Sequence, residues 1–380
     1  MLTGVKHICI ALVSEGGTMP IIDLARHQAS DRNTPYRRIA VIGGGAWGAA
    51  LAAVAVRAGR ETVLWTRDAD HADTITRTRR NPAYLGDVAL PQGLRATADL
   101  AEAVSDADLA LVVVPSHALR ETMMRLAAHL APGVPVALAA KGIERETGLL
   151  MSAVAEQAAP GHAVAALSGP SFADEVARDL PTAVVIASAC AGGPDPESSV
   201  AARLALSLGT VTFRPYISDD ITGVEVGGAV KNVIAIACGM AEGAGFGHNA
   251  RAALITRGLD EIKRLADALG GRFETVSGLS GMGDLSLTAS DPKSRNYAYG
   301  VTRGRGDAPS GKVLVEGVAN ALSVTDLARV RGVDMPICEA VRSVVHEGEP
   351  FARAFTRLWT SPLEAEPRAM DVALDHPAAS

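Results

Sequence analysis

The sequence predicts an α/β protein in two parts: a doubly wound parallel sheet over residues 38–222, then an all-helical half over residues 223–366. Three observations predict it. A β-branched run, Ile39–Ile42, meets glycines at 43, 45 and 48 and then an alanine-rich stretch to Ala58. Continuous apolar runs, suited to strands buried on both faces, alternate with helical stretches as far as Arg214. Beyond Thr222 the apolar residues follow helical periodicity, with no strand of comparable strength.

Gly43, Gly45 and Gly48 have the G-x-G-x-x-G spacing of a dinucleotide-binding turn, in the strand–turn–helix context that the fingerprint needs. The first glycine allows the turn, the second lets the backbone approach a pyrophosphate, and the third lets helix pack on strand. The free N–H groups at the helix N-terminus favour the phosphates. A second strand at Glu61–Thr66 completes one βαβ unit of a Rossmann-like domain, against the plainer alternative of a structural turn. Arg67 stands at the end of that strand, where such folds read the adenine ribose. Arginine there suits a 2′-phosphate and an acid suits a free hydroxyl, so Arg67 followed by Asp68 leans to NADP(H) over NAD(H).

Further strands are expected at Leu109–Val114, Val134–Ala140, Val164–Leu167, Thr182–Ala187 and Val211–Phe213. Helices are expected at Asp99–Val104, Ala118–Leu130 and Leu149–Gln157. Ligands of such a sheet lie beyond the carboxyl ends of its strands, where His117 and Lys141 stand. The second half begins with the long helix Gly223–Gly245, followed by helices at Ala250–Leu269, Val318–Arg331 and Pro336–His346. Residues 1–37 are predicted to be a disordered, dispensable extension, unless translation starts at Met19, and residues 367–380 a fraying tail.

Bulk properties exclude several classes. The chain has 380 residues, a formal net charge of −6 and no long basic run, which argues against nucleic acid. Cys9, Cys190, Cys238 and Cys338 are far apart, with no metal-ligand spacing, so reduced thiols in a cytoplasmic protein and no metal site are expected. No run reads as an integral membrane segment.

Lys231 is the charge with most to explain, because it lies inside a long apolar helix. Desolvation lowers a lysine's pKa and can make it a proton donor near neutrality; the alternative is a lysine that snorkels from a helix end. Asn232 beside it is either a substrate donor or an ordinary polar residue. Gly278, Gly281 and Gly283 make a backbone-rich loop around Asp284, which could orient a lysine, bind a hydroxyl or cap a helix. Ser294, Arg295 and Asn296 group a hydroxyl, a guanidinium and an amide, a set that suits a phosphate monoester but also an ordinary polar surface.

These residues fall within a longer pattern. From about Arg38 to Pro362 the chain resembles the bacterial NAD(P)-dependent glycerol-3-phosphate dehydrogenases. The landmarks are IAVIGGGAWG, VPSHALR, KGIERETG, LSGPSFADEV, VGGAVKNVIAIACG, NARAALITRG, GMGDLSLT, SRN and VEG. The resemblance implies reversible reduction of dihydroxyacetone phosphate to sn-glycerol 3-phosphate for glycerophospholipid synthesis, with NADP(H) and also NAD(H), in a cytoplasmic homodimer. It implies that Lys231 donates and accepts the proton. Lys141, Asp284, Ser294, Arg295 and Asn296 would hold the substrate, with Gly169 and Ser171 lining its site. Trp47, Arg67, Lys141, Ala173, Arg295, Leu314 and Glu316 would contact the cofactor. Ala46 stands where many relatives have serine, His248 gives FGHN where FGDN is common, and residues 1–37 have no counterpart. A 3-hydroxyacid dehydrogenase would want a carboxylate site in place of Ser294–Asn296. A nucleotide-sensing module would not need Lys231 in an apolar helix.

Overall fold

The computed structural model describes residues 34–308 and 314–360, with backbone also at 13–14, 17–18, 363–364 and 373–374. Most of the predicted extension and the tail at 367–380 therefore lie outside the described residues. The extension does not run to Arg37 as expected. Tyr36 is buried, its N–H donates to Ser207 Oγ at 2.8 Å, and the Arg203 guanidinium lies over its ring.

The first half is one eight-stranded sheet. Its strands are β1 (Arg38–Ile42), β2 (Glu61–Trp65), β3 (Arg95–Thr97), β4 (Leu109–Val112), β5 (Val136–Leu138), β6 (Val164–Ser168), β7 (Thr182–Ser188) and β8 (Phe213–Ser218). The order is β8-β7-β6-β5-β4-β1-β2-β3. Strands β1 to β6 run parallel. Strand β7 pairs antiparallel to β6 and parallel to β8, so the expected all-parallel sheet is corrected at one edge. The expected strand at Val211–Phe213 lies further on, as β8. Alternation along β1 sends Ile39 and Val41 into one apolar layer and Ala40 and Ile42 into the other.

Helix α1 (Ala46–Arg57) follows β1 and packs closely because its inward face is mostly alanine. Helices α2 (Ala69–Thr78), α3 (Pro82–Leu85), α4 (Leu100–Val104), α5 (Leu119–Ala127), α6 (Met151–Ala158), α7 (Ala173–Ala177) and α8 (Val200–Leu208) complete the two layers. Strand order reverses at β1, whose neighbours are β2 and β4, and this opens the crevice where such sheets hold ligands.

The second half is built around α9 (Ile221–Gly243), buried continuously from Gly223 to Ala241. By length and hydropathy it could cross a bilayer, which the sequence reading missed, yet 89 % of its apolar window is buried inside the protein. Around it lie α10 (His248–Ala268), α11 (Phe273–Ser277), α12 (Asp284–Thr288), α13 (Arg295–Gly304), α14 (Glu316–Arg331), α15 (Pro336–His346) and α16 (Phe351–Trp359). Helices α9 and α13 touch backbone to backbone where Gly239 meets Gly300: a Cβ on either would lie 3.0 Å from the other's Cα. That approach brings the start of α13 beside Asn232.

Candidate active site

The carboxyl ends of β5 and β6 meet the first turns of α9, with Lys141, Ser168 and Gly228 around one small space. Lys231 is only 7 % exposed, so it does not snorkel. Its Nζ donates to an Asp284 carboxylate oxygen and, at 2.8 Å, to Thr288 Oγ1. Lys141, just past β5, donates to the other Asp284 oxygen at 2.6 Å. Two ammonium groups from the two halves thus share one carboxylate, itself 1 % exposed. The Lys141 stem reaches Asp284 across Gly228, where a Cβ would sit 3.4 Å from Lys141 Cγ.

Asp284 begins α12 directly after the single π turn Leu279–Gly283. Thr288, one helical turn on, points the same way and donates back to Asp284 at 3.3 Å. The sequence reading missed Thr288; its i+4 spacing from Asp284 was the available signal. An ammonium has three protons, and two of those on Lys231 are committed, so one is free for a substrate oxygen.

The electrostatics of the trio follow from burial. Desolvation pulls Lys231 from 10.5 down to about 8, against the attraction of Asp284, while Lys141 adds repulsion and Glu316 attraction. Burial alone would raise Asp284, but the two ammonium groups outweigh it and hold the carboxyl below its ordinary value. Lys231 is therefore charged at neutral pH and releases its proton more readily than a lysine in water.

The predicted Ser294–Asn296 cluster divides. Ser294 caps α13, accepting from Tyr297 N at 3.3 Å. Asn296 donates to Asn232 Oδ1 at 2.9 Å and accepts from Gly317 N at 2.9 Å, which ties α13, α9 and α14 together. Arg295 is exposed at the first turn of α13 and bonds to no described residue, so its guanidinium is free for a ligand.

Most of the residues expected to contact the cofactor stand at the carboxyl ends of the strands, and Leu314 and Glu316 stand at the start of α14. Gly43 has φ +128°, and a Cβ on Gly48 would collide with the Gly43 carbonyl. A Cβ at Gly45 would meet no protein atom within 4 Å, so the space in front of the turn is open. Trp47 is partly buried on α1. Arg67 is exposed beyond β2, whereas Asp68 spends its carboxylate capping α2 at His71 N, 2.8 Å away. Arg67 therefore has no partner among the described residues, whereas the Asp68 carboxylate is already engaged. Gly169, with φ +146°, and Ser171, bonded to the Gly169 carbonyl at 3.2 Å, form the turn after β6, and Ala173 opens α7. Leu314 is exposed beside Glu316 at the start of α14. Arg120 grips Glu144 with two bonds of 2.8 and 2.7 Å and so fixes the turn that carries Lys141. His117 and His248 are exposed, and His248 touches Arg251 at 3.1 Å. Among the described residues no group of acids, histidines and cysteines could hold a metal.

The family model described as the NAD-dependent glycerol-3-phosphate dehydrogenase N-terminus matches residues 38–192, and that for the C-terminus matches residues 220–356. A protein of Brucella ovis named glycerol-3-phosphate dehydrogenase (NAD(P)+) is 47 % identical over 329 residues, covering 87 % of this chain and 99 % of its own. One of the same name from Parvibaculum lavamentivorans is 48 % identical over 336 residues, covering 87 % and 98 %. The solved glycerol-3-phosphate dehydrogenase of Coxiella burnetii superposes with a TM-score of 0.78 at 37 % identity, over 85 % of this chain and 98 % of that one. With both halves matched in order, the chain belongs to the NAD-dependent glycerol-3-phosphate dehydrogenase family.

Proposed function

We propose that this protein reduces dihydroxyacetone phosphate to sn-glycerol 3-phosphate with NADPH, and with NADH less well, and that Lys231 is the proton donor. The observation that carries this reading is Lys231 held buried and charged on Asp284, with one N–H uncommitted. The bound nicotinamide supplies the hydride. Lys231 donates to the ketone oxygen as negative charge develops there, and takes the proton back in the reverse direction. Asp284 keeps Lys231 protonated and, through Lys141, fixes the second ammonium in the cleft. Arg295, with the N-terminal N–H groups of α13, is suited to the phosphate dianion, and Asn232 and Asn296 set the position of that helix start. Ser294 supports α13 as its cap, and Gly169 and Ser171 line the same cleft. Gly43, Gly45, Trp47, Gly48, Ala173, Leu314 and Glu316 are proposed to contact the cofactor, with Arg67 on its 2′-phosphate.

The same reading divides the chain at about residue 222, nucleotide on the first half and substrate on residues 223–366. A cytoplasmic location and a homodimer are part of the proposal, supported by the scattered thiols and by the resemblance respectively. Supply of the product to glycerophospholipid synthesis is also part of the proposal, on the resemblance alone. The test is NADPH oxidation with dihydroxyacetone phosphate, unphosphorylated dihydroxyacetone and a 3-keto acid. Turnover should need the phosphate; equal or better turnover of the keto acid would refute the assignment.

A further inference from the structure

A buried polar chain lies beneath the glycine turn and takes no part in the proton chemistry. Asn81 is fully buried, and one end of its amide contacts the Gly44 carbonyl at 2.9 Å. A carbonyl only accepts, so the Asn81 atom there is the nitrogen and Oδ1 is the other end. Oδ1 meets His71 Nε2 at 2.8 Å, which therefore carries the imidazole proton. His71 Nδ1 is left as an acceptor and receives Thr66 Oγ1–H at 3.1 Å. Donation runs one way along Thr66, His71, Asn81 and Gly44.

The Gly44 carbonyl and the Gly45 N–H belong to one planar trans peptide and point in opposite directions. Fixing the oxygen towards Asn81 turns the Gly45 N–H away from it. That N–H bonds to no described residue and faces a turn where a Cβ on Gly45 would find nothing within 4 Å. At the far end of the chain, Thr66 immediately precedes Arg67. We propose that Asn81, locked by His71, is a positioning residue that aims the Gly44–Gly45 peptide at the cofactor pyrophosphate and keeps that turn in register with the strand end bearing Arg67. The inference rests on the assignment of the cofactor to the first half.

The test measures Kd for NADPH and for NADH by calorimetry on the full chain, for wild type, Asn81→Ala, Asn81→Asp and His71→Gln. Asn81→Asp is isosteric and keeps an acceptor for His71 while removing the donor to Gly44. Both Asn81 variants should weaken NADPH and NADH by the same factor, about tenfold or more, because the pyrophosphate is common to both. Their kcat at saturating NADPH and their KM for dihydroxyacetone phosphate should be unchanged, which a general loss of structure would not give. His71→Gln can still donate to Asn81 Oδ1 and should retain most of the affinity. A folded Asn81→Asp that binds both cofactors like wild type would overturn the proposal. If neither Asn81 variant folds, His71→Ala decides: undiminished affinity for both cofactors overturns it, and a matched loss supports it. Wild-type protein that binds neither cofactor would overturn the cofactor assignment itself, a result distinct from variants that bind normally.

Discussion

Replacing Asp284 by asparagine removes the one negative charge in contact with both Lys231 and Lys141 among the described residues, and leaves the shape of the site intact. An opposite charge at contact distance raises a lysine's pKa by about 1–3 pH units. Lys231 stands at about 8 with Asp284 present. Without it Lys231 should fall to roughly 5–7, and the Lys141 charge pushes in the same direction. At about pH 7 the protonated fraction then drops from about nine-tenths to between about a half and a hundredth. The assay is kcat/KM for dihydroxyacetone phosphate at saturating NADPH, followed from acid to alkaline pH. The wild-type rate of reduction should be full below about 8 and decline above it, as Lys231 loses its proton. In Asp284→Asn the decline should begin at least about one pH unit lower. A folded variant whose decline stays where the wild type has it would refute the coupling.

Other outcomes follow from the same structure. Arg67→Ala should raise the KM for NADPH by about tenfold or more and leave that for NADH unchanged, because only NADPH carries the 2′-phosphate; equal effects on both would count against Arg67. Arg295→Ala should lower kcat/KM for dihydroxyacetone phosphate by about ten- to a hundredfold and leave unphosphorylated dihydroxyacetone little changed; equal losses with intact NADPH binding would send the search for the phosphate anchor to Lys141. Glu261 on α10 is buried against Ile337 N and Cys338 N at the start of α15, and burial raises it from 4.5 to about 7. The unfolded chain loses this proton first as pH rises, so the native state is favoured below about 4.5, loses stability up to about 7, and then levels off. Melting curves should show a shallower fall of Tm over that window in Glu261→Gln than in wild type; equal slopes would contradict the assignment.

The sequence made the strands legible because β1, β4 and β6 are buried on both faces, so their apolar runs are unbroken. It hid α2, whose sequence ADHADTITRT is polar on most sides and depends on Asp68 as its cap. It hid the reversal of β7 as well, since direction is decided by pairing and leaves no mark in composition. In the site, Lys231 stood out as a charge in an apolar helix, and Asp284 as an acid among glycines. Their contact spans a sequence separation of 53 and could be seen only in the fold. The Ser294–Asn296 group read either as a phosphate shell or as an ordinary polar surface; the fold adds that Ser294 caps α13 and Asn296 ties it to Asn232, while Arg295 has no partner among the described residues.

If Lys231 protonates the ketone oxygen as hydride arrives, Lys231→Ala should remove that proton and leave cofactor binding in place. Single-turnover and steady-state rates of NADPH oxidation by dihydroxyacetone phosphate should be compared with wild type, alongside NADPH affinity and Tm. The variant should fold and bind NADPH, with kcat reduced by about 10²–10⁴, the usual worth of a general acid. A folded variant that keeps more than about a tenth of the wild-type kcat would rule out Lys231 as the proton donor.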